Sequence, residues 1–132
     1  MANEAVIIEL LGNKGDPVRY TCASGTAIVK GEILKFSDPR TAAIANTSGS
    51  FFAGIAAADK QATDQSTTVS AYTNGIFDLI ASGAIGVGEG CFAAGQNKVS
   101  GDSTCGQAPK RLVGVALETA ANAERIAVRV LR

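Results

Sequence analysis

Apolar and polar residues alternate along the last stretch of the chain. Ile126, Val128 and Val130 occupy every second position, and Arg125 and Arg129 fall between them. Alternate residues of a strand point to opposite faces of a sheet. The pattern therefore predicts a strand with one buried face and one face in water, as antiparallel sheets commonly have.

Short runs of β-branched and apolar residues recur through the chain and predict further strands. The strongest runs lie at 18–22, 33–36, 41–45, 67–72 and 76–79, and we interpret Asn74-Gly75 as a turn between the last two. The Ala-rich segments 56–62 and 117–123 can each form one or two helical turns, whereas glycine spacing argues against long helices. We predict a mostly β fold, a small barrel or sandwich with at most short helices.

One pattern occurs twice. Ser-Gly, an apolar pair and a Gly-Glu step precede a strand at 24–32 and again at 82–89, and Gly54 and Gly114 each lead an apolar run. Nearly the same number of residues separates the two members of each pair, so the register is kept. Two copies of so long a unit indicate a duplication inside one domain, not a solenoid. We expect a single domain, 1–132, with repeat-like halves at about 18–79 and 80–132.

The N-terminal stretch 4–11 predicts a strand that is apolar on both faces, and the turn-forming cluster 12–17 separates it from the repeats. Residues 1–17 therefore form either an arm and a turn or an ordinary strand of the same sheet. A strand with two apolar faces needs cover on both sides or a second subunit. We take four residues as candidate partner-binding residues: Val6, Ile7, Ile8 and Leu10.

The most polar and glycine-rich segment, 94–109, predicts a hairpin with an exposed tip, where we expect variable function. Composition adds that the core is thin, because 46% of the residues are hydrophobic but none is Trp and only five are Phe and two Tyr. We hypothesise that neighbouring subunits or a host surface add to the stability of the fold.

Charge and cysteine content limit the classes of partner and the cellular compartment that we expect for this chain. Twelve basic residues balance twelve acidic ones, without the basic excess that nucleic-acid binders show, so we expect no nucleic-acid partner. Residues 1–4 lack the basic region of a secretory signal, and no apolar run approaches the ~20 residues of a membrane helix, so we expect synthesis in the cytoplasm and no membrane partner. Cys22, Cys91 and Cys105 are expected to be free thiols.

The residues that most catalytic sites need are missing. The chain has no His, which excludes a Ser-His-Asp or Cys-His site within one chain. It contains no phosphate-binding Walker motif, and its acidic residues are scattered singly, unlike a calcium loop or a paired-carboxylate site. We therefore expect no enzyme activity, no cofactor and no metal.

Several motifs together resemble one protein family. They are Gly54–Ala56, Thr73–Leu79, Ser82–Ile85 and Val113–Ala120, supported by Val6–Leu10 and Asn13–Pro17. In order and spacing they are similar to the small decoration, or cement, proteins that bind the outside of tailed-phage and prophage heads. The resemblance covers nearly the whole chain.

The resemblance implies a virion structural protein, made in the host cytoplasm, that sits on the capsid between subunits of the major capsid protein. It also implies self-association, as a homotrimer or another homo-oligomer. It offers no catalytic residues. The alternatives are another phage structural or assembly component, such as a head-fibre base or a tail accessory protein, and an enzyme or nucleic-acid-binding module.

Overall fold

The computed structural model describes residues 4–9, 18–46, 51–102 and 112–131, and every regular element in these ranges is a β-strand. In chain order the strands are β1 (Val6–Glu9), β2 (Val18–Thr21), β3 (Ile33–Asp38), β4 (Thr41–Ile44), β5 (Phe52–Ala56), β6 (Thr68–Tyr72), β7 (Asn74–Ala81), β8 (Gly90–Ala93), β9 (Lys98–Asp102), β10 (Leu112–Ala116) and β11 (Arg125–Leu131). This confirms the prediction of a mostly β fold.

The strands form two five-stranded barrels. Barrel 1 is closed in the order β2-β4-β3-β5-β6. Barrel 2 has the order β7-β11-β10-β8-β9, and pairing of β7 with β9 closes it. Strand β1 is added to barrel 2 along β7, so the N-terminal strand is an edge strand of that sheet.

The two barrels repeat one pairing scheme, which confirms the internal duplication. Each has a single parallel pair, β2 with β4 and β7 with β9, and the other pairs are antiparallel. An isolated bridge recurs as well, joining Ile28 to Lys60 and Ile85 to Ala120. The sequence-based division near residue 79 assigned β7 to the first half, but its hydrogen-bonded partners β9 and β11 lie in the second.

The turn predicted at Asn74-Gly75 is wrong. Both residues belong to β7, where they pair with Leu131 and Val130, and only Thr73 separates β7 from β6. The chain has no need to reverse at this point, because β6 ends barrel 1 and β7 begins barrel 2. The short helical turns considered at 56–62 and 117–123 are loops instead. Each loop contains one residue, Lys60 or Ala120, that forms an isolated β-bridge.

A glutamate that accepts a backbone hydrogen bond repeats at the same place in both barrels, buried as Glu32 in barrel 1 and partly buried as Glu89 in barrel 2. The Glu32 carboxylate accepts a hydrogen bond from the backbone N–H of Val29 at 2.6 Å, and the Glu89 carboxylate accepts one from Gly86 at 2.5 Å. Each closes the turn that precedes the second strand of its barrel. The repeated Gly-Glu step in the sequence therefore marks a structural role that both barrels share.

Two hydrophobic clusters form the core. The first fills barrel 1 and consists of Cys22, Ile28, Leu34, Ala42, Ala53, Ala56, Val69 and Ala71. The second fills barrel 2 but also includes side chains from the outside of barrel 1, among them Ile33, Phe52 and Ile55. Because the outer face of β3 and β5 is buried there, the two barrels share one packed interface.

Candidate partner-binding surface

Strand β1 pairs with β7 alone among the described strands. Val6 lies opposite Asp78 and Ile7 opposite Phe77, after which an irregular step shifts the register so that Glu9 lies opposite Ile76. The second edge of β1 is therefore open for backbone pairing, within the part of the chain that the structure describes. An open edge of this kind can accept a strand from another chain.

The side chains of β1 divide into two groups. Ile7 is half-buried against the core of barrel 2, whereas Val6 is 48% exposed and Ile8 52% exposed. The fourth candidate from the sequence, Leu10, lies outside the described residues, as does the turn predicted at 12–17. The structure thus divides the predicted set into one residue that anchors the strand and two that face outward.

Val6 belongs to a row of side chains that crosses the outer face of barrel 2. It lies opposite Asp78, which lies opposite Ala127, and the Leu117 N–H donates to the Ala127 carbonyl at 2.9 Å. Residues directly opposite one another share a face of the sheet, so Leu117, 43% exposed, faces the same way as Val6. Three strand spacings separate them, about 14 Å.

The chain before β1 also contacts barrel 1. The Ala5 N–H donates to the Gly31 carbonyl at 2.7 Å. Gly31 has a φ of +94°, and a Cβ on it would lie 2.6 Å from the Ala5 carbonyl oxygen, so a side chain there would displace the N-terminal segment. Strand β1 and the residue before it are therefore held in place by contacts with both barrels.

The turn between β8 and β9 does not behave as predicted for an exposed tip. Asn97, at the end of this turn, is only 3% exposed, and its side-chain oxygen accepts a hydrogen bond from the Ile33 N–H at 3.0 Å. The Gln96 amide donates to the Glu32 carboxylate at 3.2 Å. Gln96 and Asn97 therefore form a polar contact between the barrels, and residues 103–109 of the predicted segment lie outside the described residues.

Sequence reasoning missed this contact because polar, glycine-rich segments are usually at the surface. A usable signal was the Asn itself. Asn97 has a φ of +58°, and Asn is among the few residues that adopt this conformation readily. The residue at the same place in barrel 1 is Arg40, with a φ of +50°.

The family is decided by a match over most of the chain. The family model described as phage cement protein matches residues 12–131. The chain belongs to the phage cement protein family. This cement protein therefore has a structural role in association with the phage capsid, and its place is the virion.

A solved structure shares the fold of this cement protein. The N-terminal base of the head fibre gp8.5 of bacteriophage phi29 has a TM-score of 0.58 and 18% sequence identity, over 86% of this chain and 93% of that one. No curated protein matches the chain in sequence.

The cement protein buries its described thiols. Burial raises the pKa of Cys91 to about 12, with a further contribution from the Glu89 carboxylate. Burial also raises the pKa of Cys22, while the Lys60 ammonium opposes that rise. Neither thiol is suited to nucleophilic chemistry at neutral pH, because the thiolate is the reactive form.

The described residues include no cluster of three or more Cys, Asp or Glu side chains that could hold a metal ion. The same residues contain no helix long and apolar enough to cross a membrane. The buried Lys60 ammonium has a structural explanation, since it donates to the Ser24 and Thr26 carbonyls at 3.0 and 2.7 Å. The outward face of β1 is thus the best-supported candidate for a functional surface.

Proposed function

We propose that this protein binds the outer surface of the phage head and reinforces the lattice of the major capsid protein, using β1 as its principal contact. The observation that carries the proposal is the exposure of Val6 and Ile8 on an edge strand whose inner residue, Ile7, is anchored in the core. Removing such side chains from water is favourable by about 25 cal/mol for each Å², and the affinity for a capsid subunit is what remains after the entropy cost of association.

The open edge of β1 supports the proposal in a second way. A strand of the capsid protein can add to this edge through backbone hydrogen bonds, while Val6 and Ile8 supply apolar contacts. Many copies on one shell then combine weak contacts into strong retention. Catalysis has no part in this function.

The test is binding of purified protein to heads that lack it, measured as bound copies against free concentration. We expect the double variant Val6→Asp, Ile8→Asp to need at least tenfold more protein for half-saturation, a loss of about 1.4 kcal/mol. Val87→Asp is the matched control, because Val87 is 66% exposed but lies in a turn of barrel 2 away from β1. Equal binding by wild type and the double variant would contradict the proposed contact.

Images of virions carrying labelled protein separate this function from the other phage roles. Label spread over the head lattice supports a cement role, whereas label on the tail rejects it. DNA binding across a salt series tests the nucleic-acid alternative, for which salt-sensitive binding would be required.

We further propose that the protein self-associates on the capsid. The support is the amount of exposed apolar surface: eight large hydrophobic residues among those that the structure describes are exposed, and β1 accounts for only two of them. The family resemblance favours a trimer. Light scattering of the purified protein measures the number of copies directly.

A further inference from the structure

The duplication makes each barrel a template for the other. Equivalent residues are identified by their strand partners: Val18 in β2 lies opposite Ala71, as Phe77 in β7 lies opposite Val128. Since the barrels are built alike, a residue that is buried in one and exposed in the other marks a surface that has a partner in one barrel only.

One end of barrel 2 is filled by barrel 1. At this end Phe77 is 0% exposed, Ala93 1% and Asn97 3%. The outer face of β3 and β5 covers it, and the Ile33 N–H bonds to Asn97 across the contact. Barrel 2 is therefore closed at this end by side chains of its neighbour in the chain.

The same end of barrel 1 is exposed. Val18 and Phe36, the equivalents of Phe77 and Ala93, are each 38% exposed, and Arg40 takes the place of Asn97 on the surface. The Phe36 ring lies edge-on to Tyr20, with centroids 5.4 Å apart and planes at 88°. We call Val18, Phe36 and Arg40 the open end of barrel 1.

The covering face also has an exposed copy. In barrel 1 the outward residues Ile33, Phe52 and Ile55 are at most 1% exposed, because they cover barrel 2. In barrel 2 the equivalent residues are only partly buried or exposed, with Val115 at 39%. We call this set the free face of barrel 2: Gly90, Leu112 and Val115.

We propose that the protein associates head to tail, with the open end of barrel 1 in one copy seated on the free face of barrel 2 in the next. The contact between copies repeats the contact within the chain. The inference rests on the proposed self-association, which it deepens by naming the two surfaces, and it does not require capsid binding through β1.

Charge supports this choice of partner. Within the chain, the turn residue Gln96 donates to Glu32. Between copies, Glu89 is the equivalent of Glu32. The turn of barrel 1 has Pro39 at the position of Gln96, and the next residue is Arg40, whose side chain is exposed. A guanidinium facing a carboxylate makes the polar part of the contact attractive.

A contact between two different surfaces has a consequence that a two-fold dimer lacks. Each copy keeps one surface of each kind, so association continues until a ring closes or an open chain forms. The matched variants Val18→Glu and Val115→Glu each remove one surface and leave the other intact. Both residues lie in strands and have nearly equal exposure, 38% and 39%.

The experiment is light scattering on size-separated protein over a concentration series. We expect wild type and the control Val87→Glu to associate alike, and each single variant to be monomeric at concentrations at least tenfold higher. An equimolar mixture of the two variants is expected to form a 1:1 dimer, because one intact pair of surfaces remains. Monomeric wild type, an unaffected single variant or a mixture that stays monomeric would each overturn the proposal.

Circular dichroism melts check that both variants fold. If Val18→Glu or Val115→Glu fails to fold, the Thr variant at the same position replaces it, since Thr keeps the side-chain shape of Val. A several-fold weaker association is then expected, and unchanged association would reject the surface that carries the substitution. Head binding is measured separately with the variants of Val6 and Ile8. Loss of self-association with retained head binding, or the reverse, shows which of the two proposals fails.

Discussion

At the scale of single residues, the duplication is visible in two glycines that solve the same steric problem. A Cβ on Gly54 would lie 2.8 Å from the Ala71 Cβ, and one on Gly114 would collide with the Arg129 carbonyl. Both lie on the strand that approaches the last strand of its barrel. The glycines recur because the backbones come too close for a side chain, and neither has a positive φ.

Replacing Gly114 with Val should therefore destabilise the fold by about 3 kcal/mol or more, because the backbone of β11 must move. Gly54→Val should cost less, since a Cβ there would lie 2.8 Å from the Ala71 Cβ and 2.9 Å from the Tyr72 carbonyl oxygen, whereas at Gly114 a backbone oxygen lies closer still. For a chain of this size a loss of about 3 kcal/mol lowers the melting temperature by about 10 °C. Gly25→Val is the control, because nothing lies within 4 Å of a Cβ there; three equal melts would contradict this explanation.

The raised pKa of Cys91 makes stability depend on alkaline pH. In the folded protein the thiol keeps its proton to about pH 12, whereas in the unfolded chain it loses it near its ordinary value of 9.0. The contribution of this pKa difference to the free energy of unfolding is fully present below pH 9 and is lost as the pH rises towards 12. Between pH 8 and 10, wild type should lose about 1.4 kcal/mol more unfolding free energy than Cys91→Ala.

Urea titrations of both proteins at the two pH values measure this difference. Every other titratable group is common to wild type and variant, so its contribution to the difference cancels. Parallel losses in the two proteins would show that Cys91 is not protected from ionisation.

At the scale of elements, the β8–β9 hairpin holds the barrels together. In its turn, the Asn97 side-chain oxygen accepts a hydrogen bond from the backbone N–H of Ile33, a buried residue of barrel 1. A buried N–H without an acceptor costs about 1–3 kcal/mol. The hairpin thus contributes to fold stability even though its sequence is polar.

Asn97→Gly should lower the free energy of unfolding by about 1–3 kcal/mol, because it removes the acceptor while glycine tolerates the positive φ. Gln65→Gly is the matched control: Gln65 has a φ of +59° against +58° for Asn97, but its side chain is exposed. We expect the control to have an unchanged or slightly higher free energy of unfolding when both variants are measured by chemical denaturation. An unchanged free energy of unfolding in Asn97→Gly would show that the hairpin does not stabilise the contact between the barrels.

At the scale of the whole molecule, two similar barrels present different surfaces. The contact between the barrels buries the outer face of barrel 1 and one end of barrel 2. The equivalent surfaces, the free face of barrel 2 and the open end of barrel 1, stay exposed. Strand β1 adds a third surface on the far edge of β7. If both proposals hold, the protein has separate surfaces for the capsid and for its own copies, and it could then link neighbouring capsid sites.

The sequence by itself determined the strand content, the duplication and the family. Alternating residues such as Ile126 and Val128 predicted a buried face, and both are 0% exposed, because period-two patterning acts within one strand. The spacing of Gly54 and Gly114 kept the repeat in register, since a close backbone approach excludes every larger residue.

Only the tertiary structure decided where the units divide and what each surface meets. Asn74-Gly75 has the composition of a turn, yet the residues that pair with them, Leu131 and Val130, lie about 55 residues further along the chain, so local propensity did not apply. Ile55 and Val115 are equivalent apolar residues, and one is buried while the other is exposed. The difference arises from how two folded barrels pack, which depends on shapes formed by residues distant in sequence.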